Sequence, residues 1–297
     1  MLTTEILNGQ GIGNQLFCYV TTRSVAYDRG MEFGIKDTGW SGDKRYNQGG
    51  FYWFNLDMGS PVQEEMNVYY EQDKRLKLDT CLHDMTHGCD IRKYDSNLVN
   101  VPDNTMIYGN MQDERYFLHN KQLVKEWLKV KPEYDTYDYT DDNVCILNFR
   151  GGEYVGHHEL YLSRKYWIDA MNNMTKINPR MEFVSITDDV NASQQMLPEI
   201  PAYHFSVDKD YAIIKNSKHV ILSNSSFPFF AVFTSDTIEN IIAPKYWARH
   251  NVSDGYWSMA QNMYRDWTYQ DREGNLQTYE ECLTEFEEYS IQNNLYV

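Results

Sequence analysis

Arg150 stands where its side chain could do chemistry. It follows the apolar segment VCILNF, residues 144–149, and precedes Gly151 and Gly152. A guanidinium at the end of a buried strand is unfavourable unless it is paired, so core packing explains it poorly. Its planar fork of donors suits a phosphate or a carboxylate. Glu153, three residues later, could act as a base or could simply pair with Arg150.

A glycine-rich segment, NGQGIGN at residues 8–14, leads into an amphipathic stretch near the N-terminus. Glycine lets the backbone approach a ligand closely, and the first N–H groups of a helix favour an anion. A tight turn from strand to helix explains the three glycines equally well. They lack the spacing of the dinucleotide-binding fingerprint, and nothing else in the sequence supports an NAD-dependent oxidoreductase.

Hydroxyl and amide side chains gather in SNSSF, residues 223–227, directly after a short apolar run. These side chains and the N–H groups of a following helix could bind an anion. The alternative is ordinary capping of a core helix by Ser225 or Ser226. Another run ends in Asp188 and Asp189, which could accept from a ring N–H or a ribose hydroxyl, or could cap the next turn.

Three further groupings do not indicate a metal site. Asp208 and Asp210 have the spacing of a metal-binding D-x-D, but Asp208 stands where it could cap a helix. His157 and His158 are adjacent and share no helix or strand face, which favours a solvated loop. The five cysteines form no C-x-x-C pair, so neither a zinc site nor a disulfide framework is indicated.

Short apolar runs alternate with segments that carry helix-start residues. The predicted strands are residues 3–7, 32–36, 105–108, 144–149, 183–187, 203–207, 220–222 and 238–242. Ser163 and Asp208 precede predicted helices, and Thr278 with Glu281 forms a capping box before a last helix. This alternation predicts an α/β protein with parallel sheets. In such sheets ligands bind beyond the carboxyl ends of the strands, so the loops there should hold the site.

Two α/β domains facing each other across a cleft are expected. The acidic, non-periodic segment KPEYDTYDYTDD, residues 131–142, is predicted to be the linker. We assign residues 1–135 to an N-terminal domain and residues 136–250 to a C-terminal domain. Residues 251–297 are expected to form a helical tail that packs back on the body.

Charge and hydropathy exclude several classes of partner. The 27 basic and 43 acidic residues give a net charge of −16, which opposes binding to nucleic acid and to anionic membranes. No apolar run approaches the roughly 20 residues that span a bilayer, and no signal-peptide pattern opens the chain. We therefore expect a cytoplasmic protein with no membrane span and no nucleic-acid partner.

Five segments occur in an order that points to one family. They are GQGIGNQLFCYV, NMQDERYF, NFRGGEY, ITDD and SKHVILSNSSFPFFAVF. The first two resemble G-G-x-G-N-Q-x-F-x-Y and aromatic-Q-[SD]-E-[KR]-Y-F. The others resemble H-x-R-R-x-D-Y, F-S-D-D and C-K-H-x-I-x-x-N-S-S-F-S-W-W-x-A. Together the five patterns are those of the alpha-1,2-fucosyltransferases, glycosyltransferase family 11, and the resemblance covers most of residues 5–247.

The resemblance implies a GT-B fold, in which two Rossmann-like domains face each other across a cleft. It also implies an inverting, metal-independent transfer of fucose from GDP-fucose to a hydroxyl of a glycan acceptor. The N-terminal domain would lie on the acceptor side, and the C-terminal domain would bind the nucleotide sugar. No cofactor is implied besides this donor substrate.

The resemblance further implies which residues form the site. Arg150 would bind the donor's diphosphate, and Arg150, Glu153 and Asn14 are the implied catalytic residues. The implied donor-binding residues are Gly11, Gly13, Asn148, Asp188, Asn224, Ser225, Ser226 and Phe227.

Three positions depart from the family pattern. The family's histidine is Asn148 here, its second arginine is Gly151, and its aspartate is Glu153. Asparagine cannot titrate near neutral pH, and the loss of one arginine removes positive charge. These changes leave open a glycosyltransferase with a different nucleotide-sugar donor, and a catalytically silent carbohydrate-binding relative.

Overall fold

The structure, a computed structural model, describes most of the chain. The described residues are 1–6, 10–37, 51–62, 65–71, 73–76, 89–92, 94–253, 255, 257 and 262–293. The chain divides into two compact units, the first comprising Met1–Asp73 and Lys93–Asp135, the second Lys74–Arg92 and Thr136–Val297. Each unit contains a sheet whose strands are wholly or mainly parallel, which confirms the predicted α/β class.

The first unit is built on a four-stranded parallel sheet. Its strands are β1 (Leu2–Ile6), β2 (Phe33–Asp37), β3 (Asn67–Tyr70) and β6 (Thr105–Tyr108), and its helices are α1 (Ile12–Asp28) and α2 (Lys121–Trp127). The strand order is β2-β1-β6-β3, and α1 packs against β1 and β2. Two other strands, β4 (Asp73–Leu76) and β5 (Cys89–Arg92), form a separate two-stranded sheet that belongs, apart from Asp73, to the second unit.

The second unit holds a seven-stranded sheet. Its strands are β7 (Val144–Phe149), β8 (Glu182–Thr187), β9 (Ala202–Tyr203), β10 (His219–Leu222), β11 (Asn240–Pro244), β12 (Thr268–Gln270) and β13 (Leu276–Gln277). Its helices are α3 (Arg164–Ile177), α4 (Val190–Met196), α5 (Val207–Asn216), α6 (Phe229–Thr234) and α7 (Tyr279–Gln292). Across the described part of the chain, no helix is long and apolar enough to cross a membrane.

The strand order of this sheet positions a ligand site. The order is β13-β12-β11-β10-β7-β8-β9, and all pairs are parallel except β12 with β13. From β7 the chain proceeds outward through β8 and β9, then returns to β10 on the other side of β7. Ligands of doubly wound sheets bind outside the carboxyl ends of the strands at such a reversal. The residues that follow β7 and β10 therefore lie at the switch point.

Burial explains why β7 forms the centre of the second unit. All six residues of β7 are buried, as its continuous apolar sequence predicts. Phe149 stacks on Trp167 of α3 with ring centroids 5.2 Å apart. The predicted cap of α3 is confirmed, since the Ser163 side chain accepts from the N–H of Tyr166. The capping box that begins α7 at Thr278 is confirmed as well.

Two predicted element boundaries are wrong, and five of the described strands, β3, β4, β5, β12 and β13, were not predicted. The expectation of a helical tail at residues 251–297 is wrong in part, because β12 and β13 lie there as strands of the seven-stranded sheet and α7 follows them. The strand at residues 203–207 ends at Tyr203, and α5 already begins at Val207 with Ser206 rather than Asp208 at its N-cap. Pro228 is the N-cap residue of α6, so neither Ser225 nor Ser226 caps that helix. No pattern predicted β3, because it is largely exposed and lacks alternating apolar residues.

His250 is a buried histidine of the second unit. Its Nδ1 lies 3.1 Å from the carbonyl oxygen of Lys245, and its ring packs edge-on against Tyr166 with centroids 5.0 Å apart. Burial lowers the pKa of His250 from 6.5 to about 4, because the interior disfavours the charged imidazole. The folded protein therefore holds this ring neutral under conditions in which the unfolded chain protonates it.

This burial predicts a pH dependence of stability. Between pH 6.5 and about 4 the unfolded chain binds the extra proton, so the free energy of unfolding should fall as the pH falls through this window. Above this window the neutral His250 costs the folded protein no stability, and across the whole window the free energy of unfolding should fall by about 3 kcal/mol. Urea unfolding at several pH values gives the free energy of unfolding as a function of pH. Between pH 6.5 and about 4 this free energy should change less with pH in His250→Gln than in the wild type. Equal slopes would contradict the assignment.

Candidate functional site

Arg150 directly follows β7 at the switch point. Its Nη1 donates to Oδ2 of Asp188 at 2.5 Å, and its Nη2 donates to Oε1 of Glu153 at 2.9 Å. The guanidinium carbon also lies 5.2 Å from the ring centroid of Tyr154. The side chains of Arg150 and Asp188 are each 19% exposed, whereas that of Glu153 is 61% exposed. Arg150 is thus held by one semi-buried carboxylate and one carboxylate in solvent.

The glycines after Arg150 bring this loop against the end of β8. The N–H of Gly151 donates to Oδ1 of Asp188 at 2.8 Å, and the N–H of Gly152 donates to Oδ2 of Asp189 at 3.3 Å. A Cβ at Gly151 would lie 2.6 Å from the Cβ of Asp189. Gly152 has a φ of +48°, which an L side chain rarely adopts. The family pattern has an arginine at the position of Gly151. Any side chain there would push the loop away from Asp189.

The two aspartates after β8 have different roles. Oδ1 of Asp189 accepts from the N–H of Ala192 at 2.9 Å and caps α4, so the capping alternative is confirmed for this residue. Asp188 instead bonds to Arg150 and to Gly151. The Arg150 guanidinium thus pairs with the carboxylates of Asp188 and Glu153. An anionic ligand would have to compete with these two carboxylates for the guanidinium.

Asn148 and Asn224 join the ends of β7 and β10. Oδ1 of Asn148 accepts from the hydroxyl of Ser223 at 3.3 Å. Asn224 is 3% exposed, and its amide nitrogen donates to the carbonyl oxygen of Leu160 at 3.0 Å. Its Oδ1 is buried and has no hydrogen-bond partner among the residues that the structure describes. An unsatisfied buried acceptor costs about 1–3 kcal/mol, which a hydroxyl or N–H group of a ligand would recover.

The rest of the SNSSF segment forms a turn before α6. The hydroxyl of Ser225 accepts from the N–H of Phe227 at 3.3 Å, and the carbonyl oxygen of Ser226 accepts from the N–H of Phe229. The ring of Phe227 packs edge-on against Tyr211 with centroids 6.1 Å apart. The predicted residues of the second unit therefore all lie in or directly after β7, β8 and β10, at the carboxyl edge of one sheet.

The remaining predicted residues belong to the first unit. Gly11 is the N-cap residue of α1, and Gly13 and Asn14 lie in its first turn. Oδ1 of Asn14 accepts from Nε2 of Gln112 at 2.8 Å. A Cβ at Gly11 would meet no described atom within 4 Å, so packing does not require glycine there. Gly9, the first glycine of this segment, lies outside the described residues.

Glu71 and Gln112 were not among the predicted site residues. Oε2 of Glu71 accepts from the N–H of Met111 at 2.8 Å, and its Oε1 accepts from the hydroxyl of Tyr116 at 3.0 Å. Met111 has a left-handed φ of +51°, a strained conformation that these bonds maintain. The segment NMQDERYF pointed to Gln112, but Glu71 follows a strand that no pattern predicted.

The groups at this edge of the second unit have the chemistry that an anionic ligand with hydroxyl groups requires. Arg150 supplies positive charge, the Asn224 oxygen supplies an acceptor, and the exposed Glu153 supplies a carboxylate that can take up a proton. Within the described ranges, no group of three or more His, Cys, Asp or Glu side chains could hold a metal ion.

Comparison with known families identifies the chain. Residues 72–271, more than half of its length, match glycosyl transferase family 11. The chain belongs to this family. It is therefore a glycosyltransferase, and the family resemblance of the sequence motifs is confirmed. The matched residues include Arg150 and the loops after β8 and β10. A search of curated protein sequences found no match.

Several solved fucosyltransferase structures are similar to the chain at low identity. POFUT1 in complex with GDP-fucose is 8% identical, with a TM-score of 0.42 and coverage of 81% of this chain and 96% of that chain. NodZ alpha-1,6-fucosyltransferase soaked with GDP-fucose is 12% identical, with a TM-score of 0.43 and coverage of 82% of this chain and 94% of that chain. NodZ co-crystallized with GDP is 11% identical, with a TM-score of 0.40 and coverage of 93% and 97%. TM-scores this low transfer no residue role, and family membership rests on the sequence match.

The close approach at Gly151 predicts that its substitution destabilises the second unit. In Gly151→Ala the added methyl would overlap Asp189, so the free energy of unfolding should fall by about 1–3 kcal/mol. Gly11→Ala is the matched control, with a smaller expected loss of about 0.5 kcal/mol, because alanine is a poorer N-cap than glycine but meets no neighbouring atom there. Urea unfolding of the two variants measures both values. Equal stability of the two proteins would show that the loop after β7 adjusts freely.

Proposed function

We propose that this family 11 enzyme transfers fucose from GDP-fucose to a hydroxyl of a glycan acceptor, with inversion and without a metal ion. The observation that carries the proposal is the Arg150 guanidinium, which follows β7 at the switch point of a family 11 chain. A guanidinium binds a diphosphate through parallel charge-assisted hydrogen bonds. The five sequence segments that resemble alpha-1,2-fucosyltransferases support fucose as the transferred sugar.

In the proposed reaction the oxygen of the acceptor hydroxyl forms a bond to the anomeric carbon of fucose. The bond from that carbon to the diphosphate oxygen breaks at the same time, and its electron pair stays with GDP. Arg150 stabilises the charge that develops on the leaving diphosphate. The hydroxyl proton passes to a carboxylate, for which we propose Glu153. Asn14, fixed by Gln112, is the third residue that we assign to the reaction.

The pairing of Arg150 supports this assignment of Glu153. A diphosphate must replace carboxylate partners of the guanidinium, and Glu153 is the more readily displaced because its side chain is 61% exposed. Asp188 is held by a second hydrogen bond, from the N–H of Gly151. Donor binding would therefore release Glu153 from Arg150 and leave its carboxylate able to accept the proton.

Two further observations support a nucleotide sugar at the edge of the second unit. Oδ1 of Asn224 is buried and unsatisfied within the described residues, and a sugar or ribose hydroxyl would satisfy it. Asn148 and residues 225–227 lie in or after the neighbouring strands, and we assign them with Asp188 to the donor site. Gly11 and Gly13 of the first unit are assigned to it because of the family resemblance.

A glycosyltransferase that uses another nucleotide sugar is the second candidate. Gly151 contacts Asp189 so closely that the family's second arginine would not fit in this loop conformation. The positive charge of that arginine is missing here, and Asn148 replaces a residue that could titrate. These differences favour a donor site whose contacts differ from those of the family pattern.

The nucleotide preference separates the candidates. We expect GDP to stabilise the protein in a thermal-shift panel with UDP, dTDP and CDP, by about 2.7 kcal/mol at 100 times its dissociation constant. We also expect GDP release when GDP-fucose and glycan acceptors are supplied together. Preference for another nucleotide would support the second candidate. Glycan binding without any nucleotide binding would indicate a catalytically silent relative.

Arg150→Ala is expected to lower kcat about 10²- to 10³-fold, because one preorganised donor to the leaving diphosphate is lost. Arg164→Ala is the matched control, since its guanidinium pairs with Glu199 on the exposed surface of the same unit. GDP release under saturating donor measures both variants, and their melting temperatures report on folding. Near wild-type turnover of Arg150→Ala would remove this residue from the mechanism.

A further inference from the structure

A histidine–aspartate pair follows β9 and has no role in the mechanism above. Nδ1 of His204 lies 2.6 Å from Oδ2 of Asp210, and Oδ1 of Asp210 accepts from the N–H of Phe205 at 3.1 Å. Asp210 is 4% exposed, whereas the His204 side chain is 36% exposed. The buried carboxylate uses both oxygens to fix the ring and the adjoining backbone. The other ring nitrogen of His204, Nε2, is not bound by Asp210.

The charges around His204 favour its protonated form. The hydrogen bond that His204 makes to the Asp210 carboxylate raises the pKa of His204. Burial lowers this pKa, and the negative charges of Asp210 and Asp188 raise it further. Asp208 adds negative charge beside Asp210, and Lys209 of the same helix pairs with an exposed carboxylate. A protonated imidazole carries N–H groups on both nitrogens. With Nδ1 committed to Asp210, Nε2 can donate to a ligand.

The topology of the sheet places the imidazole of His204 where the nucleobase of a bound nucleotide would lie. In doubly wound sheets the diphosphate binds at the switch point, and the ribose contacts an acidic residue after the second strand. Here these positions are Arg150 after β7 and Asp188 after β8. A nucleotide that follows this arrangement extends from β7 across β8 toward β9. Strand β9 pairs with β8 through Ile186 and Tyr203. Neighbouring strands lie about 4.8 Å apart, so His204 is within reach of the base.

We propose that His204 is a specificity-determining residue of the donor site and donates a hydrogen bond from Nε2 to the nucleobase. Such a donor selects a base edge that offers acceptors. Guanine presents O6 and N7 side by side, whereas adenine presents an amino group beside N7. The neighbouring ring of Phe205 stacks on Tyr203 with centroids 5.6 Å apart, and the Lys209 ammonium lies 4.5 Å from its centroid. The proposal rests on the proposed function, because it presupposes a nucleotide-sugar donor.

Asp210 is the positioning residue of this pair. It orients the imidazole through Nδ1 and holds the backbone of the preceding loop through Phe205. Its charge also raises the pKa of the His204 ring. GDP affinity should therefore fall as the pH rises through the pKa of His204. The charges that face this group are those of Asp210, Asp208, Asp188 and Lys209.

The dissociation constants of GDP, ADP and inorganic pyrophosphate test the proposal by calorimetry. In His204→Leu the affinity for GDP should fall about 10- to 100-fold, the range expected for a charged hydrogen bond. Affinities for ADP and pyrophosphate should be unchanged. His204→Gln keeps an N–H donor and should retain most of the GDP affinity. His119→Leu, which removes another histidine paired with an aspartate at 2.6 Å, is the control with no expected effect.

A pH series separates the positioning role from a merely structural one. Asp210→Asn keeps the size of the side chain and removes its charge, which should lower the pKa of His204. The loss of GDP affinity with rising pH should therefore begin at a lower pH in this variant. Pyrophosphate binding by the same variant should be unchanged and would show that the unit remains folded. An unshifted pH profile would overturn the role of Asp210.

Three results would overturn the assignment of His204. Unchanged GDP affinity in His204→Leu would exclude a contact with the base while leaving the proposed function intact. An equal loss of pyrophosphate affinity would place the histidine at the diphosphate instead. Absence of GDP binding by the wild type would overturn the proposed function, and this inference with it.

Discussion

The contact between the loop after β7 and the two aspartates after β8 is the constraint on which the rest of the second unit's edge depends. Asp188 binds the guanidinium of Arg150 and the N–H of Gly151, while Asp189 binds the N–H of Gly152 and caps α4. The backbone at Gly151 and Gly152 approaches the side chains of the two aspartates so closely that a Cβ would lie 2.6 Å from Asp189 or 2.7 Å from Asp188. A single set of charge-assisted hydrogen bonds thus determines where the arginine points.

This contact also explains the unusual charge of the site. The loop has no room for a second arginine at Gly151, and Arg150 pairs with the carboxylates of Asp188 and Glu153. A donor that binds here must compete with those carboxylates, and the exposed Glu153 is the one that yields most readily. Base selection would then fall to groups further along the sheet edge, such as His204. A glycosyltransferase can therefore depart from its family's motif while retaining an arginine at the switch point.

Much of the fold could be predicted because local patterns were strong. The strand at residues 144–149 is continuously apolar, and the caps at Ser163 and Thr278 have side chains that bond to the first turn of their helices. The boundaries around β9 and α6 could not be predicted, because hydroxyl and acidic side chains suit caps, turns and first helical turns alike. β3 was missed since its exposed residues carry no periodicity. Asp188 and Asp189 had several possible partners, and only their positions in space assign one to Arg150 and the other to α4.

By itself, the sequence determined the α/β class, the family and the set of loops that carry polar side chains. These properties follow from hydrophobic periodicity and from short motifs, which depend only on neighbours along the chain. The tertiary structure decided which of those side chains meet. Arg150 with Asp188, Gln112 with Asn14, and Asn148 with Ser223 are pairs separated by dozens of residues. Such contacts arise because parallel strands bring their carboxyl ends to one edge of a sheet, and no local pattern records the order in which the strands lie.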